Sequence, residues 1–70
     1  MENVPVADAR ANLTDVVARV RYTRESVRLT RRGTPQAVIV PVDIGDLIEA
    51  VGGPDKAGEI LRRELRESDS

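Results

Sequence analysis

The charged side chains of this sequence, above all its arginines, are the groups that could do chemistry. Residues 19–32 hold six arginines against Glu25 as the one acid, and Arg31 and Arg32 are adjacent. The chain has no Cys and no His, which removes thiolate nucleophiles, imidazole acid–base catalysis and most transition-metal sites. Serines and threonines are present, but none has a plausible activating base. The sequence therefore predicts a binding protein and not an enzyme, with no catalytic residues, no metal site and no cofactor.

The charges are divided unevenly along the chain. Residues 1–42 hold seven arginines and four acids, whereas residues 43–70 hold four basic residues and eight acids, although the net charge is only −1. A basic front half and an acidic back half favour two partners of different kinds. The alternative is a solvated surface on which the charges happen to segregate.

The stretch 27–41 predicts a β-hairpin on which the rest of the chain is arranged. Apolar and polar residues alternate over 27–30, Arg32-Gly33 supplies a tight turn, and 37–40 is a mostly β-branched apolar run. Because the second strand is apolar on both faces, we expect it to be the central strand of the sheet. It would be covered by helices on one face and by a further element or a second subunit on the other.

A short edge strand over 2–6 and a helix of about four turns are predicted before the hairpin. Asp8 is placed to cap this helix, which ends near Thr23. Asn12 is expected to satisfy nearby backbone groups rather than to contact a base. The apolar stripe that should face the core consists of Ala9, Leu13, Val16, Val17 and Val20.

Two further helices are predicted after the hairpin. Asp43 should cap the first, which ends at Gly52-Gly53, and the second covers 55–67. The apolar side of this last helix carries Ala57, Ile60, Leu61 and Leu65. A helix of a dozen such residues is marginal in water, so its apolar side needs a surface to pack on. That surface is either the domain or dimer itself or a separate protein, and the sequence leaves both open.

The small size of the chain predicts one domain that gains stability by dimerising. Seventy residues bury little apolar surface, and Tyr22 is the one aromatic residue in an otherwise aliphatic set. No apolar run approaches the length of a membrane span, and the N-terminus lacks a basic-then-apolar signal pattern. We therefore expect a cytoplasmic protein that uses no membrane.

Three short motifs stand in order between about Val4 and Val51. Residues 8–13 read DARANL, residues 29–33 read LTRRG and residues 37–41 read AVIVP. They resemble the E/D-A-R-x-N-L, I-T-R-x-G and A-V-L-V-S/P patterns of the Phd/YefM antitoxins, the DNA-binding, toxin-neutralising halves of bacterial type II toxin–antitoxin pairs. Each motif is weak alone, but all three at the family's spacing in so short a chain are fairly specific.

The resemblance implies an α/β (α+β) homodimer whose small antiparallel sheet is built on a central β-hairpin with helices packed on it. Residues 1–52 would form the dimerisation and DNA-binding domain that represses the protein's own operon. Residues 53–70 would form the toxin-binding segment, an amphipathic helix that is poorly ordered when free. The implied partners are a second copy, operator DNA and a toxin, without a small-molecule cofactor.

The resemblance also assigns residues. By position, Arg10 and Arg31 match the family's DNA-contacting arginines, with Arg32 and Arg28 added as phosphate contacts. Toxin binding falls on Ala57, Ile60, Leu61 and Leu65. The alternatives are a solvated hairpin tip, a toxin-free regulator of the AbrB kind in which the tail completes the dimer, and a protein-binding module without DNA.

Overall fold

The computed structural model describes residues 1–69 and shows a mixed α/β fold of three strands and four helices. The elements are β1 Glu2–Pro5, α1 Val6–Ala11, α2 Leu13–Thr23, β2 Val27–Arg31, β3 Thr34–Ile39, α3 Val42–Ala50 and α4 Pro54–Asp69. Ser70, the last residue of the predicted toxin-binding segment, lies outside the described residues. None of the helices described here is long and apolar enough to cross a membrane.

The predicted hairpin is confirmed and carries the sheet. Strands β2 and β3 pair antiparallel, and Arg31 opposite Thr34 leaves a two-residue turn, Arg32-Gly33. Both turn residues have positive φ, 51° and 79°, as a type I′ turn requires, because its backbone twist matches that of the strands. The ladder shifts register between Leu29 and Thr30.

The predicted position of β3 at the centre of the sheet is wrong. The strand order is β1-β2-β3, so β2 is central, and β1 joins it in parallel rather than antiparallel fashion. In β3, residues 34–38 are all exposed. The apolar residues on both faces of this strand predict that both faces are covered, and in a single chain most of the strand is not covered.

The predicted first helix is two helices. Pro5 precedes α1 without a side-chain cap, so Asp8 lies in the first turn and is not the cap that we expected. The chain leaves helical geometry at Asn12, with φ −130° and ψ 37°. As expected, Asn12 satisfies nearby backbone, since its main-chain N and its side-chain Nδ2 donate to the Asp8 carbonyl at 3.0 and 3.3 Å.

The hydrophobic core lies between β1, β2 and the first two helices. Its buried members are Val4, Ala9, Val16, Val20 and Val27, with Leu29 and Ile39 packed against them. The other two residues of the predicted stripe, Leu13 and Val17, are 53% and 48% exposed, so their predicted burial is wrong within one chain. Because the helix breaks at Asn12, α2 need not continue the apolar face of α1. The side of α2 that carries Val16 and Val20 packs on the core.

Helices α3 and α4 form a helical hairpin beside this core. Pro41 rather than Asp43 precedes α3 as its cap, which corrects the prediction, and Asp43 lies in the first turn. Gly52 and Gly53 both have positive φ and end α3 as predicted; Gly53 N donates to Ile48 O at 2.9 Å. No residue of α3 is buried, and the core cluster draws no side chain from α3 or α4.

Candidate functional site

The structure brings three of the four predicted DNA-binding arginines to one groove. Arg10 from the end of α1, Arg31 from the end of β2 and Arg32 from the turn line it together. Thr30 and residues 5–7 complete the lining. We call this surface the arginine groove.

The parallel pairing of β1 with β2 is what assembles the arginine groove. Pro5, the last residue of β1, stands opposite Thr30 in the register, one residue before Arg31. The chain therefore enters α1 beside the hairpin tip, which places Arg10 next to Arg31 and Arg32. Thr30 and residues 5–7 could not be predicted as lining, because a parallel register leaves no local signal in the sequence.

The arginines of the front half fall into two groups according to their partners. Arg19 donates to both carboxylate oxygens of Glu2 at 2.7 and 2.8 Å, and the Arg21 guanidinium lies 5.5 Å from the centre of the Tyr22 ring. Among residues 1–69, no hydrogen bond or ion pair engages the guanidinium groups of Arg10, Arg28, Arg31 and Arg32. The four arginines that the motifs singled out therefore have guanidinium groups without a partner in the described chain.

Arg28 does not belong to the arginine groove. It lies on β2 between Val27 and Leu29, both of which face the core, so alternation along the strand turns it to the opposite face of the sheet. Its side chain is half-buried there. Any contact that Arg28 makes with DNA therefore comes from a surface separate from that of Arg10 and Arg31.

Arg24 and Asp43 form an ion pair that joins the core to the helical hairpin. Arg24, at the end of α2 with φ 63°, donates to the two oxygens of Asp43 at 2.6 and 2.7 Å. Its hydrogen bonds lower the pKa of Asp43 below the ordinary value, and the same bonds, with the carboxylate charge, raise the pKa of Arg24. No pattern in the sequence predicts this pair, because its members lie 19 residues apart in different elements.

The predicted toxin-binding residues are not equivalent in the structure. Ala57 is buried at the contact of α4 with α3, whereas Ile60, Leu61 and Leu65 are exposed to increasing degrees. Ile60 and Leu61 line a shallow apolar groove between the two helices, and Leu65 lies beyond it. In the described part of the chain, no three acidic side chains come together as a metal ion would require.

The model of the family described as antitoxin Phd_YefM, type II toxin–antitoxin system, matches residues 1–51. The chain belongs to the Phd/YefM antitoxins. Antitoxin RelB of Mycobacterium tuberculosis (strain ATCC 25618 / H37Rv) is 35% identical to this antitoxin over 69 residues, which covers 93% of this chain and 76% of RelB. No solved structure matches the antitoxin significantly. The family match ends at residue 51, so it includes the arginine groove and α3 but not α4.

Proposed function

We propose that this antitoxin binds operator DNA of its own operon as a homodimer and neutralises a partner toxin with residues 53–70, in the bacterial cytoplasm. The observation that carries the DNA-binding half is the arginine groove, where Arg10, Arg31 and Arg32 lie together without acidic partners. Because no carboxylate occupies the donors of these guanidinium groups, they can bind a phosphate or a guanine edge without first breaking an ion pair.

The roles of the arginines follow from their positions. Arg10 and Arg31 are held on regular elements, so their guanidinium groups can fork onto guanine O6 and N7 and read sequence. Arg32 in the turn and Arg28 on the other face of the sheet are phosphate contacts that set register. In a two-fold dimer each residue is presented twice, which matches a palindromic operator.

The homodimer is supported by the apolar surface that a single chain leaves open. The core of one chain consists mainly of valine and alanine, and Leu13, Val17 and Val38 remain exposed on α2 and β3. Strand β3 is also an unpaired edge. A second copy would cover this surface and add the apolar burial that a 70-residue chain lacks.

The toxin-binding half is supported by family membership and by the character of α4. Leu61 and Leu65 are 59% and 66% exposed on a helix whose other faces are charged. An amphipathic helix of this kind is a usual ligand for an apolar groove on another protein. Leu61 and Leu65 are open, because in the described part of α4 Ala57 alone is fully buried and Ile60 is covered in part.

A DNA titration tests the arginine groove. The antitoxin is titrated against its own upstream DNA and a scrambled duplex at two salt concentrations, by fluorescence anisotropy, with Arg31→Ala alongside. We expect tighter binding of the upstream DNA, a fall in affinity with salt, and loss of the preference in Arg31→Ala, at a cost of about 1–3 kcal/mol.

The matched control is Arg63→Ala, which removes the same charge from α4. It should leave the preference for upstream DNA intact, since residue 63 lies outside both arginine surfaces. Equal, weak binding of both duplexes by all three proteins would show that the basic surface is only solvated. DNA binding without any toxin binding would identify a toxin-free regulator instead.

A further inference from the structure

Helix α3 belongs neither to the hydrophobic core nor to the lining of the arginine groove. It contributes nothing to the core cluster, none of its residues is buried, and it packs chiefly against α4. Among the described side chains, the Arg24–Asp43 ion pair is what ties it to α2. By its contacts, α3 belongs with α4 and not with the sheet.

Together the two helices present one continuous apolar groove, which we call the helical-hairpin groove. Its lining consists of Ile44, Leu47, Ile48, Val51, Ile60 and Leu61, above the buried Ala57. Leu47 of α3 is 61% exposed, which makes it the most exposed of the large side chains that line the groove. The positive-φ glycines between the helices fold α4 back along α3 and keep both halves of the groove together.

The groove connects the two helices through residues already proposed to bind toxin. Its lining joins Ile60 and Leu61 of α4 to the apolar side chains at positions 44, 47, 48 and 51. A toxin segment that packs on Ile60 and Leu61 would therefore also contact α3.

We propose that the helical-hairpin groove binds an apolar segment of the cognate toxin, and that α3 is therefore part of the toxin-binding surface. This inference rests on the proposed function, since it assumes that the antitoxin neutralises a toxin. It changes where the toxin-binding segment begins. The toxin contact begins at Ile44 instead of residue 53, and it spans the end of the family match at residue 51.

The test measures toxin affinity in full-length variants by biolayer interferometry, with the toxin encoded beside the antitoxin as the immobilised probe. Leu47→Ala and Val51→Ala should each weaken binding about tenfold, because each removes an apolar contact at the centre of the groove. Val42→Ala is the matched control: it makes the same change as Val51→Ala on a residue of α3 that is 79% exposed and lies outside this groove. It should bind as the parent does.

The outcomes separate this inference from the function on which it rests. If Leu65→Ala weakens toxin binding and Leu47→Ala and Val51→Ala do not, toxin neutralisation stands and the role of α3 is overturned. If Leu47→Ala and Val51→Ala lower the mass of the free antitoxin in sedimentation equilibrium and leave toxin affinity unchanged, the groove holds a second copy and the inference fails. If the parent protein binds no toxin, both proposals fall.

Discussion

Arg32 occupies a backbone conformation that suits asparagine or glycine better than arginine. Its φ of 51° lies in the left-handed region, where an ordinary side chain costs about 1–2 kcal/mol and where Asn-Gly is the favoured pair for this turn. Strain of this kind persists where it serves a function. We therefore expect the arginine at the hairpin tip to be kept for a contact of its guanidinium group.

Arg32→Asn should raise stability and lower DNA affinity together. Relief of the left-handed strain should increase the free energy of unfolding by about 0.5–1 kcal/mol, measured by urea denaturation. Loss of a phosphate contact should weaken DNA binding and reduce its salt dependence. Arg31→Asn is the control, because residue 31 has no positive φ and gains nothing from asparagine. A destabilised Arg32→Asn variant would contradict this account.

Sequence reasoning found the free arginines but could not tell which of them lie together. Arg10 and Arg31 came from motifs, and their meeting depends on the register of Pro5 against Thr30, which no local pattern encodes. The predicted burial of Leu13 and Val17 failed for a related reason. Periodicity reports that a side chain is apolar, and it cannot say whether the same chain or a partner covers it.

At the scale of elements, the link between α2 and α3 depends on the ionisation of Asp43. Its pKa is lowered in the folded state, so the pair contributes stability above the ordinary aspartate pKa, and that contribution disappears as the pH falls through the lowered value.

We expect the α3–α4 hairpin to loosen on acidification below about pH 4. Carboxylate NMR titration should place the midpoint of Asp43 below the ordinary aspartate value. In Asp43→Asn, the amides of α3 should exchange faster at neutral pH and lose their dependence on pH in this range. The contribution is modest, since both side chains are more than half exposed to solvent.

The two glycines that end α3 should respond to alanine in the opposite way to the glycine inside it. Gly52 has φ 112°, which a Cβ tolerates poorly, so Gly52→Ala should destabilise the helical hairpin by about 1–2 kcal/mol. Gly45 lies within α3, and a Cβ there meets open space. Gly45→Ala should therefore increase helix stability by up to about 1 kcal/mol.

Thermal unfolding followed by circular dichroism measures both changes. Equal effects of the two substitutions would show that the turn does not depend on its backbone conformation. The turn itself was predictable, because Gly-Gly-Pro is a strong stop signal. That α3 would leave the core was not predictable, since its apolar spacing is the same for a helix that packs on a sheet and one that packs on a partner.

At the scale of the whole molecule, stability should be graded from the sheet outward. The buried side chains cluster around β1, β2, α1 and α2, whereas Ala57 is the one buried side chain among the described side chains of α4. Hydrogen exchange followed by mass spectrometry should show the slowest amides in β2 and much faster exchange in α4 of the free antitoxin. Toxin should slow exchange over α4, and over α3 as well if both helices bind it. Uniform protection across the free chain would contradict the graded arrangement.

The separation of the helical hairpin from the core has a consequence for how the antitoxin can change over evolutionary time. Substitutions at Leu47, Val51 or Leu61 alter side chains that the core cluster does not contain, so they leave the fold behind the arginine groove intact. Selection can then change the surface of the helical hairpin while the arginine groove stays the same. Lineages of such a protein are free to vary what the hairpin contacts without first losing the fold that holds the arginines together.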